Sequence, residues 1–339
     1  MKRPRLLAPS RILRKTPSAK GGGRNRDYLV QESYWAIREG SKSFAAASRL
    51  FGRDTRERSW LLYHWCRRCD DLADGQEFGG ELSEVHDTKE AEDKVQAIRA
   101  LTRRALEGQP TLDLAFDSFG MVAAEVGLTQ DMADDVIAGF ALDAQGWQPR
   151  TEAEMMRYCY HVAGAVGVMM ARVMQAPDDA WVFDRACDLG LAFQLANIAR
   201  DVVEDDAAGR CYLPQEWLAE ADIKPGEHAK PHNRFKLAAV VAKLVRMMDR
   251  HADAARLGAA RLGFRDRWAV LAAARIYTAI GRKVLDRGQL AWNKRVVVSG
   301  PEKLWHIIAA WWEALRNNPH EPDQMPIYSR ELIRPLKGW

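Results

Sequence analysis

Two short runs of acidic and polar residues hold the groups in this sequence most able to do chemistry. In the first, Tyr63, Arg67, Asp70 and Asp74 follow one another at intervals of four, three and four residues. That spacing places all four on one face of an α-helix. Asp70 and Asp74 then stand about 6 Å apart along the axis, so two carboxylates can converge on one or two divalent cations. In the second run, Gln194, Asn197, Asp201 and Asp205 recur at three, four and four. Again one helix face collects oxygen donors.

Each run ends just before a glycine, Gly75 or Gly209, which marks a helix C-terminus. The macrodipole is negative there, and each carboxylate is unfavourable by about 0.3–1 kcal/mol. Like charges one turn apart add a similar penalty. A solvated acidic end accounts for one such cluster. It accounts poorly for two, because Leu72, Ala73, Val202 and Val203 interrupt the acids as though both helices were packed. A bound cation removes both penalties. Hard oxygen donors without Cys or His favour Mg²⁺, shared between a few carboxylates and substrate phosphates; the pattern does not separate Mg²⁺ from Mn²⁺.

The elements that must carry these groups read as helices throughout, with no run of alternating strands. The periodicity predicts helices over roughly 28–39, 44–51, 54–74, 92–107, 112–126, 130–146, 152–175, 179–206, 233–261, 265–290 and 301–317. Pro149, Pro177, Pro214 and Pro225 fall between periodic segments, and 75–91 reads as an acidic, Gly-rich loop. The expected organisation is a single all-α domain over 28–317, flanked by an extension over 1–27 and a tail over 318–339.

Composition narrows the function classes. The net charge is +4, yet nine basic residues and no acid lie within 1–26, so removing those nine leaves 27–339 at −5. The basic character thus reads as belonging to a Pro- and Gly-containing extension, expected to be disordered and suited to an anionic lipid surface. A net-acidic body argues against nucleic-acid binding. No stretch approaches about 18 uninterrupted apolar residues, so no membrane-spanning helix is expected. The five cysteines are odd in number and scattered, which fits a reducing cytoplasm. Cys66 and Cys69 lack a second pair and read as packing residues. The twelve tryptophans read first as core. None of the eight histidines lies three residues after a glutamate, which excludes a Glu-x-x-His di-iron bundle.

The Asp70-Asp-Leu-Ala-Asp74 run resembles the aspartate-rich motif of trans-prenyl synthases. The stretch Leu189–Pro214 resembles the second motif of the squalene and phytoene synthase family. Gly40-Ser41-Lys42-Ser43-Phe44, Tyr158-Cys-Tyr160-His-Val162-Ala-Gly164-Ala-Val-Gly167 and Ala274-Arg275-Ile-Tyr277 extend the resemblance over about 33–300. It is strongest to the bacterial, phytoene-forming members. The resemblance implies an isoprenoid-synthase-like helical bundle around a central prenyl tunnel. It implies the head-to-head joining of two geranylgeranyl diphosphates through prephytoene diphosphate to a phytoene of the 15-cis type, with ionisations that need stabilisation of departing pyrophosphate in a dry site.

Carried onto this sequence, the resemblance gives Asp70, Asp74, Asn197, Asp201 and Asp205 as metal ligands. Arg67, Arg210 and Arg295 become phosphate ligands, with Ser41, Gln194, Tyr212 and Tyr277 as hydrogen-bonding groups. Phe44, Tyr63, Tyr158 and Tyr277 are placed to steady a carbocation through their ring quadrupoles, and Tyr158 and Val162 to wall the tunnel. With the basic extension, a peripheral position at the cytoplasmic face of the membrane is expected, where product could pass to a membrane desaturase. Small residues after Phe44 (Ala45, Ala46, Ala47, Ser48) leave room for a long tail, although helix propensity explains them equally well. The alternative within the family is a squalene or dehydrosqualene synthase acting on farnesyl diphosphate. Reductive squalene formation needs a nicotinamide cofactor, which is not expected here; no Gly-rich strand–helix fingerprint is present, although this helical family need not use a Rossmann site. The remoter alternative, a non-catalytic relative that binds lipid or assists assembly, should have lost ligands that this chain keeps.

Overall fold

The computed structural model describes residues 16–74, 88–316 and 330–334; for Lys42, Ser43, Asp74 and 88–91 it describes the backbone alone. Every element among these residues is helical. They cluster as two compact units where the sequence pattern reads as one domain. One unit is built on the chain up to Gln145 with Arg172–Gln175, the other on Gly146–Ala171 and the chain from Ala176.

In the first unit, Asn25 caps α1 (Arg26–Gly40) by accepting from the Asp27 amide. Ser41 ends that helix and starts α2 (Lys42–Ala47), its Oγ accepting from the Phe44 amide at 3.2 Å. Then come α3 (Arg53–Asp74), α4 (Thr88–Leu106), α5 (Leu114–Val126) and α6 (Gln130–Ala144). Asp113 and Thr129 cap α5 and α6 as N-cap oxygens do. The helix α3 lies against α1, α5 and α6. Its Trp65 is fully buried, stacks on Phe119 at 4.3 Å and donates its Nε1–H to Thr102. Apolar residues on one stripe of α3 therefore fix which face is left for Tyr63, Arg67 and Asp70.

Residues 16–27 depart from the disorder expected of the extension. The Arg24 guanidinium donates to Asp117 at 2.7 Å. Arg26, only 5% exposed, donates to Glu57 at 2.6 Å and also to Glu125, which accepts from Arg58 as well. Gly22, read with its neighbours as a sign of disorder, serves a close approach instead. Gly22 has φ +60°, and a Cβ there would meet the Asp117 carboxylate at 2.5 Å. Residues 1–15 lie outside the described residues.

The second unit holds α7 (Glu152–Cys159), α8 (Ala165–Val173) as far as Ala171, α9 (Ala180–Ala207), α10 (Gln215–Glu220), α11 (Arg234–Ala259), α12 (Phe264–Arg287), α13 (Gly300–Leu315) and the short α14 (Arg330–Ile333). The helix expected over 152–175 is not continuous: a π-turn over Tyr160–Gly164 separates α7 from α8. Within this unit α9 packs against that turn, α11 and α12. Contact is close enough that a Cβ on Gly190 would sit 2.2 Å from the Ala163 carbonyl oxygen, and one on Gly167 2.3 Å from that of Ala186. A buried network of Arg185, Asp188 and His251 ties α9 to α11, with 2.7 Å contacts to either Asp188 oxygen.

All five cysteines are free thiols, and burial pushes Cys66 up to about 12. The packing role read for Cys66 and Cys69 fits these positions. The tryptophans divide. Trp60, Trp65 and Trp217 are core, whereas Trp305 and Trp312 of α13 are 65% and 56% exposed.

Candidate active site

The first unit gathers four of the predicted side chains at the C-terminal half of α3. Gly40 lets the Tyr63 hydroxyl approach α1: a Cβ there would lie 2.7 Å from it. The Phe44 ring, positioned by the Ser41 cap, sits 5.5 Å from the Tyr63 ring. Burial pushes the Tyr63 phenol up to about 12, against the pull of Arg67. It is a neutral hydroxyl at physiological pH. Arg67 reaches forward one turn and pairs with Asp70 and Asp71, each at 2.7 Å.

Those two aspartates differ. The Asp71 side chain is 5% exposed and Asp70 is 42% exposed. Arg67 is thus anchored on the buried acid and presents Asp70 to solvent. Sequence spacing missed Asp71, which falls off the i, i+4 face; its neighbour position in the motif was the only available sign. Asp74 closes α3, and its side chain lies outside what is described.

The second unit builds its acidic face on the last three turns of α9. Gly209 takes φ +72°, and the Arg210 amide donates back to the Asp205 carbonyl at 2.8 Å, closing the helix. No basic residue lies in that last turn. The countercharge comes from elsewhere. Arg200 donates Nε–H to Asp201 Oδ1 at 2.7 Å and a second N–H to Oδ2. Arg295, from the segment after α12, pairs with Asp201 at 2.9 Å and Glu204 at 3.1 Å. Partial burial pushes the Asp201 carboxyl up, but hydrogen bonds from Arg200 and Glu204 and the two arginine charges outweigh it, and its pKa falls below the usual value. Burial and the Asp201 charge move Glu204 the other way.

Aromatic rings flank this face. Tyr158 and Tyr212, both buried, stack at 4.8 Å, and Trp147 stacks on Tyr158 at 5.6 Å. Tyr277 stacks on Phe193 at 3.9 Å, and burial raises its phenol against Arg200. Gln194, Asn197 and Val162 are half-buried on α9 and the π-turn. The Trp292 indole N–H donates to the Ala199 carbonyl at 3.1 Å, tying the segment that carries Arg295 to α9. Arg200, Glu204, Phe193 and Trp292 were not among the sequence candidates. Arg200 lies inside the motif that was read, and its adjacency to Asp201 was the available sign.

Among the described residues, no three His, Cys, Asp or Glu side chains come together as a metal would hold them. The donor chemistry nevertheless suits a hard cation: the predicted ligands offer only oxygens, and Asp201 is held ionised. Its oxygens are occupied by guanidinium cations, so countercharge is what this helix end demands.

The sequence profile described as squalene/phytoene synthase matches residues 37–302. The chain belongs to the squalene/phytoene synthase family. Among its curated relatives, a 15-cis-phytoene synthase of Pantoea ananas is 40% identical over 91% of this chain and 100% of its own length. A phytoene synthase of Pseudescherichia vulneris is 43% identical over 85% of this chain and 93% of its own. Among solved structures, a dehydrosqualene synthase in complex with ligand superposes with a TM-score of 0.73 at 23% identity, covering 85% of this chain and 97% of that one. The squalene/phytoene synthase fold is therefore the fold of this chain, and the all-helical class read from the sequence holds.

Proposed function

We propose that this chain is a prenyltransferase that condenses two molecules of geranylgeranyl diphosphate through prephytoene diphosphate to phytoene of the 15-cis type, the entry step of carotenoid biosynthesis. The observation that carries this reading is the identity of 40–43% to enzymes named phytoene synthases, over nearly their whole length. The dehydrosqualene and squalene synthases among the solved neighbours are 23% and 21% identical and speak for the fold alone.

The residues make the reaction intelligible. A diphosphate needs cationic donors, and planar guanidinium forks suit it. Arg67, Arg210 and Arg295 fill that role in this reading; Arg67 is pre-oriented by Asp71. Asp70, Asp74, Asn197, Asp201 and Asp205 would hold Mg²⁺ (or Mn²⁺), which supplies Lewis-acid stabilisation of the departing pyrophosphate. Ser41, Gln194, Tyr212 and Tyr277 bind or orient the substrate. Ser41 Oγ accepts from the Phe44 amide at the start of α2, which places the Phe44 ring and leaves the Ser41 O–H free to donate to a diphosphate oxygen. The ring faces of Phe44, Tyr63, Tyr158 and Tyr277 steady cationic carbon at about 0.5–2 kcal/mol each, and none is charged enough to trap it. No reductant enters: the last cation ends by proton loss, which leaves a conjugated triene.

Peripheral attachment at the cytoplasmic face of the membrane and hand-over of product to a membrane desaturase complete the proposal. No helix among the described residues is long and apolar enough to cross a membrane. The test is an incubation of purified protein with Mg²⁺ and geranylgeranyl or farnesyl diphosphate, with and without NADPH, and mass and absorbance analysis of the lipid extract. A triene product from the twenty-carbon substrate, independent of NADPH, is expected. A product formed only from farnesyl diphosphate would move the assignment to squalene or dehydrosqualene synthesis.

A further inference from the structure

The outer face of α13 inverts the usual order of an amphipathic helix. Its large exposed residues are Leu304, Trp305, Ile308, Trp312 and Leu315, 44–65% accessible, and they form one helical stripe. Its buried positions are the small Ala310 and Ala314, and its acids Glu302 and Glu313 are half-buried in ion pairs with Lys283, Arg256 and Arg275. Surface helices of a soluble protein normally show the opposite arrangement. Exposing five large apolar side chains in a row is costly unless something covers them.

Charge identifies the cover. Residues 264–316 carry ten Lys or Arg and four Asp or Glu, a net +6. A basic segment thus lies within a body that is net acidic as a whole. Beside Trp312, a groove of about 540 Å³ is lined by Arg256, Arg267, Arg275 and Arg316, against the single acid Glu313. The Arg267 guanidinium donates to the carbonyls of Leu262 and Ala314, which fixes it at the groove. Two exposed tryptophans on one stripe, one of them beside clustered arginines, match a phospholipid interface, where indoles sit at headgroup level and guanidinium groups meet phosphate. A second copy of this chain fits poorly, because an isologous contact would set one +6 segment against another.

We propose that the outer face of α13 lies in the plane of an anionic phospholipid surface, with the neighbouring arginine groove receiving a lipid phosphate. This attachment is independent of the catalytic reading and stands or falls separately. It also differs from attachment through the basic extension.

Hydroxyl-radical footprinting of the full chain, read by mass spectrometry, tests it with and without vesicles of phosphatidylcholine containing phosphatidylglycerol. Trp305 and Trp312 should be oxidised readily in free protein and protected by anionic vesicles, with little protection from pure phosphatidylcholine. Protection without vesicles would overturn the proposal; light scattering then tells a second copy from cover by the chain's own residues 317–329. Oxidation unchanged by anionic vesicles would overturn it equally. In a second measurement, the double variant Trp305→Gln/Trp312→Gln should partition onto anionic vesicles about ten-fold more weakly, as expected from losing two interfacial anchors. Its melting temperature and its turnover in detergent should remain those of the parent. Arg256→Gln/Arg316→Gln should lose the preference for anionic over neutral vesicles. Full vesicle binding by either double variant would refute the assignment of this face.

Discussion

Arg295 holds Asp201 from outside the helix that carries it, its Nη2 standing 2.9 Å from the carboxylate. With Arg200 on the same carboxylate, α9 ends on a neutralised acid where its own last turn supplies no base. Like-charge repulsion alone predicts that removing Asp201 stabilises the metal-free protein. The pairing reverses the sign. Asp201→Ala should abolish turnover and lower stability by about 1.5–3 kcal/mol, the usual size of a hydrogen-bonded charge contact. Urea denaturation and product formation check both parts, and near-normal turnover would remove Asp201 from the reaction.

The same carboxylate gives a pH signature. Its folded pKa lies below the unfolded value, so the unfolded chain binds its proton first as pH falls, and the stabilisation is complete above the unfolded pKa of about 3.9. The stability difference between the parent and Asp201→Asn should be constant near pH 6–7 and shrink as pH drops through 4 and below. A difference that grows on acidification would contradict the pairing.

Adjacent aspartates on α3 should separate function from folding. Asp71 is buried against Arg67, while Asp70 stands 42% exposed at the end of the same guanidinium. Asp70→Asn should leave the melting temperature within a degree or two and eliminate activity. Asp71→Asn should lower the melting temperature several-fold more, because it loosens a half-buried arginine. Equal thermal effects of the two variants would show that exposure does not distinguish them.

At the N-terminus, removal of residues 1–15 should leave the fold intact, whereas Arg26→Met should destabilise it by about 3–5 kcal/mol. That variant leaves Glu57 and Glu125, whose side chains are both 2% exposed, short of a buried partner. Chemical denaturation of both proteins decides. A deletion reaching Arg26 should behave like the point variant.

The helices and the two acidic faces were legible in the sequence because both rest on local periodicity: apolar residues every three to four positions, carboxylates at three and four, and a glycine where each helix must stop. The family resemblance rested on the same local runs. What stayed hidden depends on partners distant in sequence. Nothing near Gly22 announces that it must clear Asp117, nor does anything near Arg26 announce Glu57 and Glu125, so a basic, glycine-rich stretch read as disordered although half of it is built into the first unit. The π-turn at Tyr160–Gly164 packs closely on Gly190 of α9, a partner distant in sequence, and no proline marks it. Composition counted twelve tryptophans but could not assign them a side. Only tertiary packing, which spends Ala310 and Ala314 on the inner face of α13, turns Trp305 and Trp312 outward.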